Sequence, residues 1–364
     1  MIQNWVKTVV FDMKHTHTTR ISLAEFLVLS EKHIVFDVRS ESEYAHAHIP
    51  GALSLPIFSD SERAEIGTAY KQISKESAIE LGFRYFGPKL NDYIKIVQSH
   101  EIQKDATILI HCWRGGMRSE AMAWLMNFYG FDALVLEGGY KSYRNHVLSI
   151  FNTALPALIL GGYTGSGKTE ILHELLQMHE PILDLEGIAY HRGSSFGSIG
   201  CPEQTSQEFF ENRLAHAYPP ESIDCIWIED ESRKIGRNII PQQLHASIRT
   251  RPLIFIDIPR EARLHWLVDQ YIQYDTELLA QAIHRIGKRL GGLHMSKALS
   301  ALESKDLYGC FDIALQYYDD TYAYGLSKRD QSLIHRLELQ EVNHHANAEA
   351  ILEFSTSIKK GMHQ

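Results

Sequence analysis

The sequence predicts an α/β protein of two parallel-sheet domains, and three observations carry that prediction. Its 364 residues exceed what one hydrophobic core of roughly 100–200 residues organises. Short apolar runs alternate with segments of helical spacing along the chain, which is the pattern of parallel α/β units. Two glycine-rich loops, His111–Arg118 and Gly161–Thr169, each stand between an apolar run and a helical segment.

In the first half, His33–Val38, Thr107–His111 and Ala133–Leu136 read as buried strands, while Glu76–Leu81, Asn91–Gln98 and Ser119–Phe128 have helical spacing. Residues 141–155 then bridge to a strand at Ala157–Leu160, so the domains are expected at 1–150 and 151–364. The second half repeats the alternation. Strands are predicted at Ile182–Leu185, Asp224–Ile228 and Leu253–Ile258, with helices after Gly167, over Gln207–Ala215 and over Glu261–Tyr271. Beyond Leu339 the chain is polar and reads as a loosely attached helix or frayed tail.

Composition narrows the class. A hydrophobic fraction of 44% with 22% charged residues is ordinary for a globular protein, and no apolar run approaches the roughly 20 residues that cross a bilayer. Residues 1–20 mix Lys7, Asp12, Lys14 and His15 with apolar residues and lack a signal peptide's apolar block, so the chain is expected in the cytoplasm, away from membranes. Cys112, Cys201, Cys225 and Cys310 form no Cys-x-x-Cys pair, which argues against a disulfide framework or structural zinc. The 20 histidines are scattered, and His344-His345 reads as a solvated segment rather than a metal site.

Cys112 follows a strand and precedes a helix, at a strand's carboxyl end, where an α/β sheet exposes its ligands. Inward amides of the Gly115-Gly116 turn, the helix dipole, Arg114 and Arg118 are expected to lower its pKa and to hold an oxyanion. The other three cysteines read as buried small hydrophobes.

Gly162-x4-Gly167-Lys168-Thr169 has the Walker A spacing in its required context of strand, loop and helix. Gly162, Gly165, Ser166 and Gly167 let amides approach phosphates, Lys168 adds a positive charge, and the Thr169 hydroxyl is placed to meet Mg²⁺. The glycine spacing does not suit a dinucleotide fingerprint. Glu229 or Asp230, after the Ile226-Trp227-Ile228 run, is either the carboxylate that completes the Mg²⁺ site or a turn former. The loop predicts a bound diphosphate, with no tightly held cofactor, and leaves open whether any bond in it is hydrolysed.

Two further segments offer substrate contacts. Asp184, Glu186, His191, Arg192, Ser194 and Ser195 crowd hydrogen-bonding side chains into a glycine-rich turn. The net charge of −9 opposes a broad nucleic-acid footprint, yet residues 231–292 hold ten Lys or Arg against six acids, a local +4. That segment is either a solvated helix surface or an RNA-binding face with Arg233, Arg237 and Arg260 as contacts.

Phe36-Asp37-Val38-Arg39, Glu43-Tyr44, His48-Ile49-Pro50-Gly51-Ala52 and Glu137-Gly138-Gly139-Tyr140, with the Cys112 loop, resemble the rhodanese family over residues 15–145. That resemblance implies a loop cysteine carrying sulfur as a persulfide. The Cys-x5-Arg spacing is one residue longer than the usual sulfurtransferase loop and matches phosphatase-like members whose larger ring encloses a phosphate, so Cys112 is expected to face a phosphate-bearing donor. Together with Gly162–Thr169, the block from Asp184 to Gly197, Glu231–Gly236 and Tyr317-Tyr318-Asp319, nearly the whole chain resembles the bacterial tRNA 2-selenouridine synthases. This implies a transferase acting on an anticodon-loop 2-thiouridine at the wobble position, S-geranylated from geranyl diphosphate and then selenated from selenophosphate. Transient contact with a selenophosphate-producing enzyme follows from the same resemblance. An unstacked anticodon base can be read without a globally basic surface. Two rivals remain: a cysteine-dependent phosphatase fused to a kinase-like domain, and a nucleotide switch with a passive adaptor.

Overall fold

The structure is a computed structural model that describes residues 18–220 and 222–362; the reading of residues 1–17 lies outside the described residues. The chain divides into two compact units, residues 1–149 and 150–364.

The first unit runs β1 (Thr19–Ile21), α1 (Leu23–Ser30), β2 (Val35–Asp37), α2 (Glu41–His46), β3 (Leu53–Ser54), α3 (Asp60–Gln72), α4 (Lys75–Phe86), α5 (Leu90–Ser99), β4 (Thr107–His111), α6 (Met117–Tyr129), β5 (Asp132–Leu136) and α7 (Gly139–Ile150). Its sheet has the order β1-β5-β4-β2-β3, parallel throughout. Ser22 with Glu25 and Ser59 with Glu62 start α1 and α3 as capping boxes, each serine accepting an amide while the glutamate returns to the cap amide. Phe36, Ile108, Ile110, Met122 and Val135 are essentially sealed from water, because helices cover both faces of the sheet. Residues 141–155 are not a plain bridge. Tyr140, Tyr143 and Val147 recur at helical spacing and are buried as one face of α7.

The second unit runs β6 (Ala157–Gly162), α8 (Lys168–Gln177), β7 (Ile182–Leu183), α9 (Leu185–Ala189), α10 (Gln207–His216), β8 (Ile226–Glu229), the hairpin β9 (Lys234–Ile235) and β10 (Asn238–Ile239), α11 (Gln242–Arg249), β11 (Leu253–Asp257), α12 (Arg260–Tyr271), α13 (Thr276–Leu290), α14 (Gly292–Glu303), α15 (Leu307–Ser327), β12 (Ile334–Glu338) and α16 (His344–Met362). Its parallel sheet has the order β12-β11-β6-β8-β7. Connections leave β6 in both directions, so the loop after β6 sits where the strand order reverses, the place at which open α/β sheets bind ligands.

The polar end of the chain is integral to this unit, contrary to the expected frayed tail. β12 adds an edge strand along β11, and Ala348 and Ile351 of α16 are fully buried in the core that includes Ile171, Leu172 and Leu175 of α8. The apolar residues stand on one helical face among polar ones, so average polarity hides them. His344 and His345 open this helix: the His344 ring stacks edge-on against Trp266, while His345 is exposed, as a solvated position would be, with Nδ1 2.9 Å from Glu174 Oε2. Among the described residues no helix is long and apolar enough to cross a membrane.

Ile351→Ala is expected to destabilise the second unit by about 2–4 kcal/mol through lost burial and a residual cavity, measured by urea unfolding. The same kind of truncation at Ile272, which is 64% exposed, is expected to stay within about 0.5 kcal/mol. Equal effects at both positions would mean that α16 is not part of the cooperative core.

Candidate active site

In the first unit the Cys112 loop leaves β4 and turns back into α6. Two backbone bonds fasten it to the start of α7: the Tyr140 amide donates to Cys112 O at 2.8 Å and the Lys141 amide to Trp113 O at 3.0 Å. That approach requires glycine at 139, where φ is +59° and a Cβ would stand 2.4 Å from Cys112 O. Below the loop, Arg39 and Asp37 form a buried bidentate pair at 2.6–3.0 Å. Arg39 also donates to Ala47 O and stacks 3.9 Å from the centre of the Tyr140 ring, so the strand end, the loop and α7 share one anchor.

The Cys112 thiol is 3% exposed. Burial pushes its pKa up, but the Ser119 hydroxyl, the Arg118 guanidinium and the amides of Arg114 and Ser119 outweigh burial and hold the thiol below its ordinary value. Ser119 Oγ lies 3.2 Å from Sγ and 3.0 Å from Gly116 O, and its single hydrogen can turn to the sulfur when the thiolate forms. Sequence reasoning named Arg114 and Arg118 and missed Ser119, which lies a turn into α6 with no motif of its own. Arg118 is less available than expected: its Nη1 donates to Glu43 Oε2 at 2.8 Å, and Arg63 approaches the same carboxylate. Arg114 is exposed beside the loop.

In the second unit the phosphate loop joins β6 to α8 and opens on a cleft of about 1070 Å³. Gly165, Gly167, Lys168 and Thr169 line it, as do Glu186, His191, Arg192, Ser194, Ser195, Arg233 and Arg237. Lys168 Nζ donates to Gly162 O at 2.9 Å, across the mouth of the loop. Ser166 is fully buried, with Oγ donating to Tyr163 O at 2.8 Å, so it shapes the loop from within.

Residues outside the Walker spacing hold this loop. Tyr322 of α15 accepts from the Gly162 amide at 3.1 Å and donates to Asp230 Oδ2 at 2.8 Å. Arg263 of α12 donates to Thr164 O at 2.9 Å while pairing with both oxygens of Asp319. Ser195 N donates to the Tyr318 hydroxyl at 2.9 Å, and Arg285 donates to Ser195 O at 2.8 Å. Tyr318 and Asp319 stood within a block marked by the family resemblance; Tyr322, Arg263 and Arg285 had no such signal.

Several sequence-stated roles change. The carboxylate that meets the Thr169 hydroxyl, at 2.9 Å, is Glu186 rather than Glu229 or Asp230. Glu229 is fully buried and accepts the Glu186 amide at 2.8 Å. Asp230 is engaged by Arg329 at 2.8 Å, Arg249 at 3.4 Å and Tyr322. Among the described residues no three His, Cys, Asp or Glu side chains are grouped to hold a metal. Thr169, Glu229 and Asp230, the expected Mg²⁺ donors, are each engaged by protein partners in this structure. Asp184 caps α9 by accepting the Gly187 amide and pairs with His173, which makes it a structural residue. Arg260 is bound to Asp312 and Gln316 and does not line the cleft.

The cleft has a mixed lining of charged and apolar residues. Lys168, Arg192, Arg233, Arg237, Arg285 and Arg289 face it with positive charge, while Trp266, Leu267, Tyr271, Ile286, Tyr317 and Tyr318 give it an apolar, aromatic wall. On its floor the Glu186 and Glu231 carboxyls converge beside Gly193, where a Cβ would stand 2.6 Å from Glu186 Oε1 and 2.8 Å from Glu231 Oε2. Burial first, then repulsion from Glu231 and Glu229, raises Glu186 well above the usual carboxylate range; burial also raises Glu231, against the opposing pull of Lys168.

Ser119→Ala removes a donor to the Cys112 thiolate and is expected to slow iodoacetamide alkylation near neutral pH about tenfold, the worth of one hydrogen bond to a charged group. Because the wild-type thiol is held low, its reactivity should rise at lower pH than an ordinary cysteine's, and the variant's rise should move upward. An unchanged pH profile would remove Ser119 from the thiolate's support.

Residues 155–352 match the family described as the tRNA 2-selenouridine synthase AAA domain, and residues 22–146 match the rhodanese-like domain. The chain is 32% identical to the tRNA 2-selenouridine synthase of Shewanella woodyi over 88% of this chain and 96% of the relative. The corresponding protein of Shewanella sediminis is 33% identical over 84% and 91%, and that of Proteus mirabilis 30% over 86% and 95%. Both loops, the cleft between α12 and α15 that the second of them opens on, and these matches along the chain agree: the protein belongs to the tRNA 2-selenouridine synthase family.

Proposed function

We propose that the chain converts 2-thiouridine at the wobble position of tRNA to 2-selenouridine, by S-geranylation from geranyl diphosphate followed by selenation from selenophosphate. The mixed basic and aromatic lining of the cleft is the observation that carries this reading. A phosphate loop bordered by an apolar aromatic wall suits a ligand with a diphosphate head and a hydrocarbon tail. The remaining arginines suit an RNA backbone beside it.

In the first step Lys168 exchanges its contact with Gly162 O for the diphosphate and, with the loop amides, neutralises the departing pyrophosphate. The carbon–oxygen bond of the donor breaks as the carbon–sulfur bond forms, so no nucleotide is hydrolysed. Alkylation turns the sulfur at C2 into a better leaving group. In the second step the Cys112 loop receives selenophosphate, with its inward amides and Arg114 toward the phosphate and Cys112 toward the selenium. Selenium attacks C2 and displaces the geranylthio group, which leaves as a thiol, and water cleaves the phosphorus–selenium bond to release phosphate.

Mass spectrometry of nucleosides from thiolated tRNA tests both steps. With geranyl diphosphate alone, the wild-type chain should accumulate geranylated uridine, and selenophosphate should convert it to 2-selenouridine. Lys168→Ala is expected to cut geranylation about 100-fold or more. Cys112→Ala should stop at the geranylated base. Unaltered tRNA nucleosides with tight nucleotide binding would sink the reading.

Charge reversal at Arg233 and Arg237 is expected to reduce the salt dependence of tRNA binding by about one unit of log-log slope per lost phosphate contact. Reversal at Arg260 should leave that slope unchanged, because its guanidinium is committed to Asp312 outside the cleft.

A further inference from the structure

His191 lines the cleft and is 9% exposed, and its buried Nδ1 has no hydrogen-bond partner among the described residues. The ring is slotted between two backbone turns that only glycine allows: a Cβ would stand 2.8 Å from its Cε1 at Gly197 and 2.6 Å from its Cδ2 at Gly236. Gln204 clamps the surrounding frame, donating to Ala189 O and Ile235 O and accepting the Arg237 amide. A buried imidazole held this firmly, with its Nδ1 sealed and unmatched, is kept at a cost in stability. Of the cleft's other acceptors, Glu186 already accepts from the Thr169 hydroxyl, and Asp230 accepts from Arg329 and Tyr322.

We infer that His191 is the base that accepts the proton released when the thiolated uracil is S-alkylated. The inference rests on the geranylation reading above. A 2-thiouracil carries a proton on N3, and alkylation of its sulfur makes the ring cationic unless that proton departs. Sulfur forms its bond to the first carbon of the chain, the carbon–oxygen bond to the diphosphate breaks, and pyrophosphate leaves with the electron pair. The N3 proton passes to an imidazole nitrogen of His191, leaving a neutral alkylated base and an imidazolium. Arg285 on α13 is the charged group that acts on the ring, and Lys168, Glu186, Arg192, Asp230, Glu231, Arg237 and His245 line the same cleft. Burial and then Arg285 pull the imidazole below its ordinary pKa, so the ring is neutral and ready to accept at pH 7.

Single-turnover geranylation of thiolated tRNA by the full chain, followed from about pH 5.5 to 8.5, tests this. Wild-type rate should fall as pH drops through the imidazole pKa. His191→Ala and His191→Gln should be about 100-fold slower and lack that acid limb, with melting temperature and the affinities for geranyl diphosphate and tRNA unchanged. Added imidazole should restore part of the rate to the alanine variant. Retention of rate and acid limb in both variants would overturn the assignment, as would a loss traced to weaker binding without imidazole rescue. Wild-type protein that forms no geranylated uridine at all would instead defeat the reaction on which the assignment rests.

Discussion

Both loops meet one constraint: negative charge has to be held at the carboxyl end of a parallel strand by amides that turn inward, and inward amides need neighbouring backbone to come very close. At Cys112 this is met by the turn at Gly139, which the chain can place against the loop only because no side chain stands there. At Lys168 it is met by a tyrosine hydroxyl on one side of the phosphate loop and an arginine on the other. Amide dipoles fixed in this way need no reorganisation when charge appears, which is what makes them effective toward a thiolate or a departing diphosphate.

Much of what holds these loops is polar and buried. Asp37 with Arg39, and Asp230 with Arg329, are ion pairs shut away from solvent. Such pairs add little net stability over an apolar equivalent, but losing one partner leaves a buried charge unmatched, at a cost of about 3–5 kcal/mol. Their role is positional. Arg39 ties the end of β2 to the Tyr140 ring under the thiolate loop, and Asp230 binds β8 to α15 through Tyr322.

The second unit departs from the common arrangement in which a phosphate loop works with a carboxylate at the end of the neighbouring strand. Here that carboxylate, Asp230, is already neutralised by guanidinium groups, and the nearest acid to Thr169 is Glu186 at the start of α9. The surrounding positive charge and the aromatic residues of α12 and α15 line the same cleft.

The sequence by itself determined the alternating architecture, the nucleophile and the phosphate loop, because each of these depends on residues adjacent in the chain. Strand, loop and helix around Cys112 and around Gly162–Thr169 are contiguous, and their glycine spacing is set by local backbone geometry. What only the tertiary structure decided is which distant side chains meet them. Ser119 reaches the sulfur through a helical turn, Glu43 claims Arg118 from another helix, and Tyr322 bonds Asp230 from 92 residues away. The burial of α16 was equally hidden, since its apolar residues occupy one face of a polar segment and gain meaning only against α8. Contacts across such separations follow from packing of whole elements, and no local pattern encodes which residues those elements bring face to face.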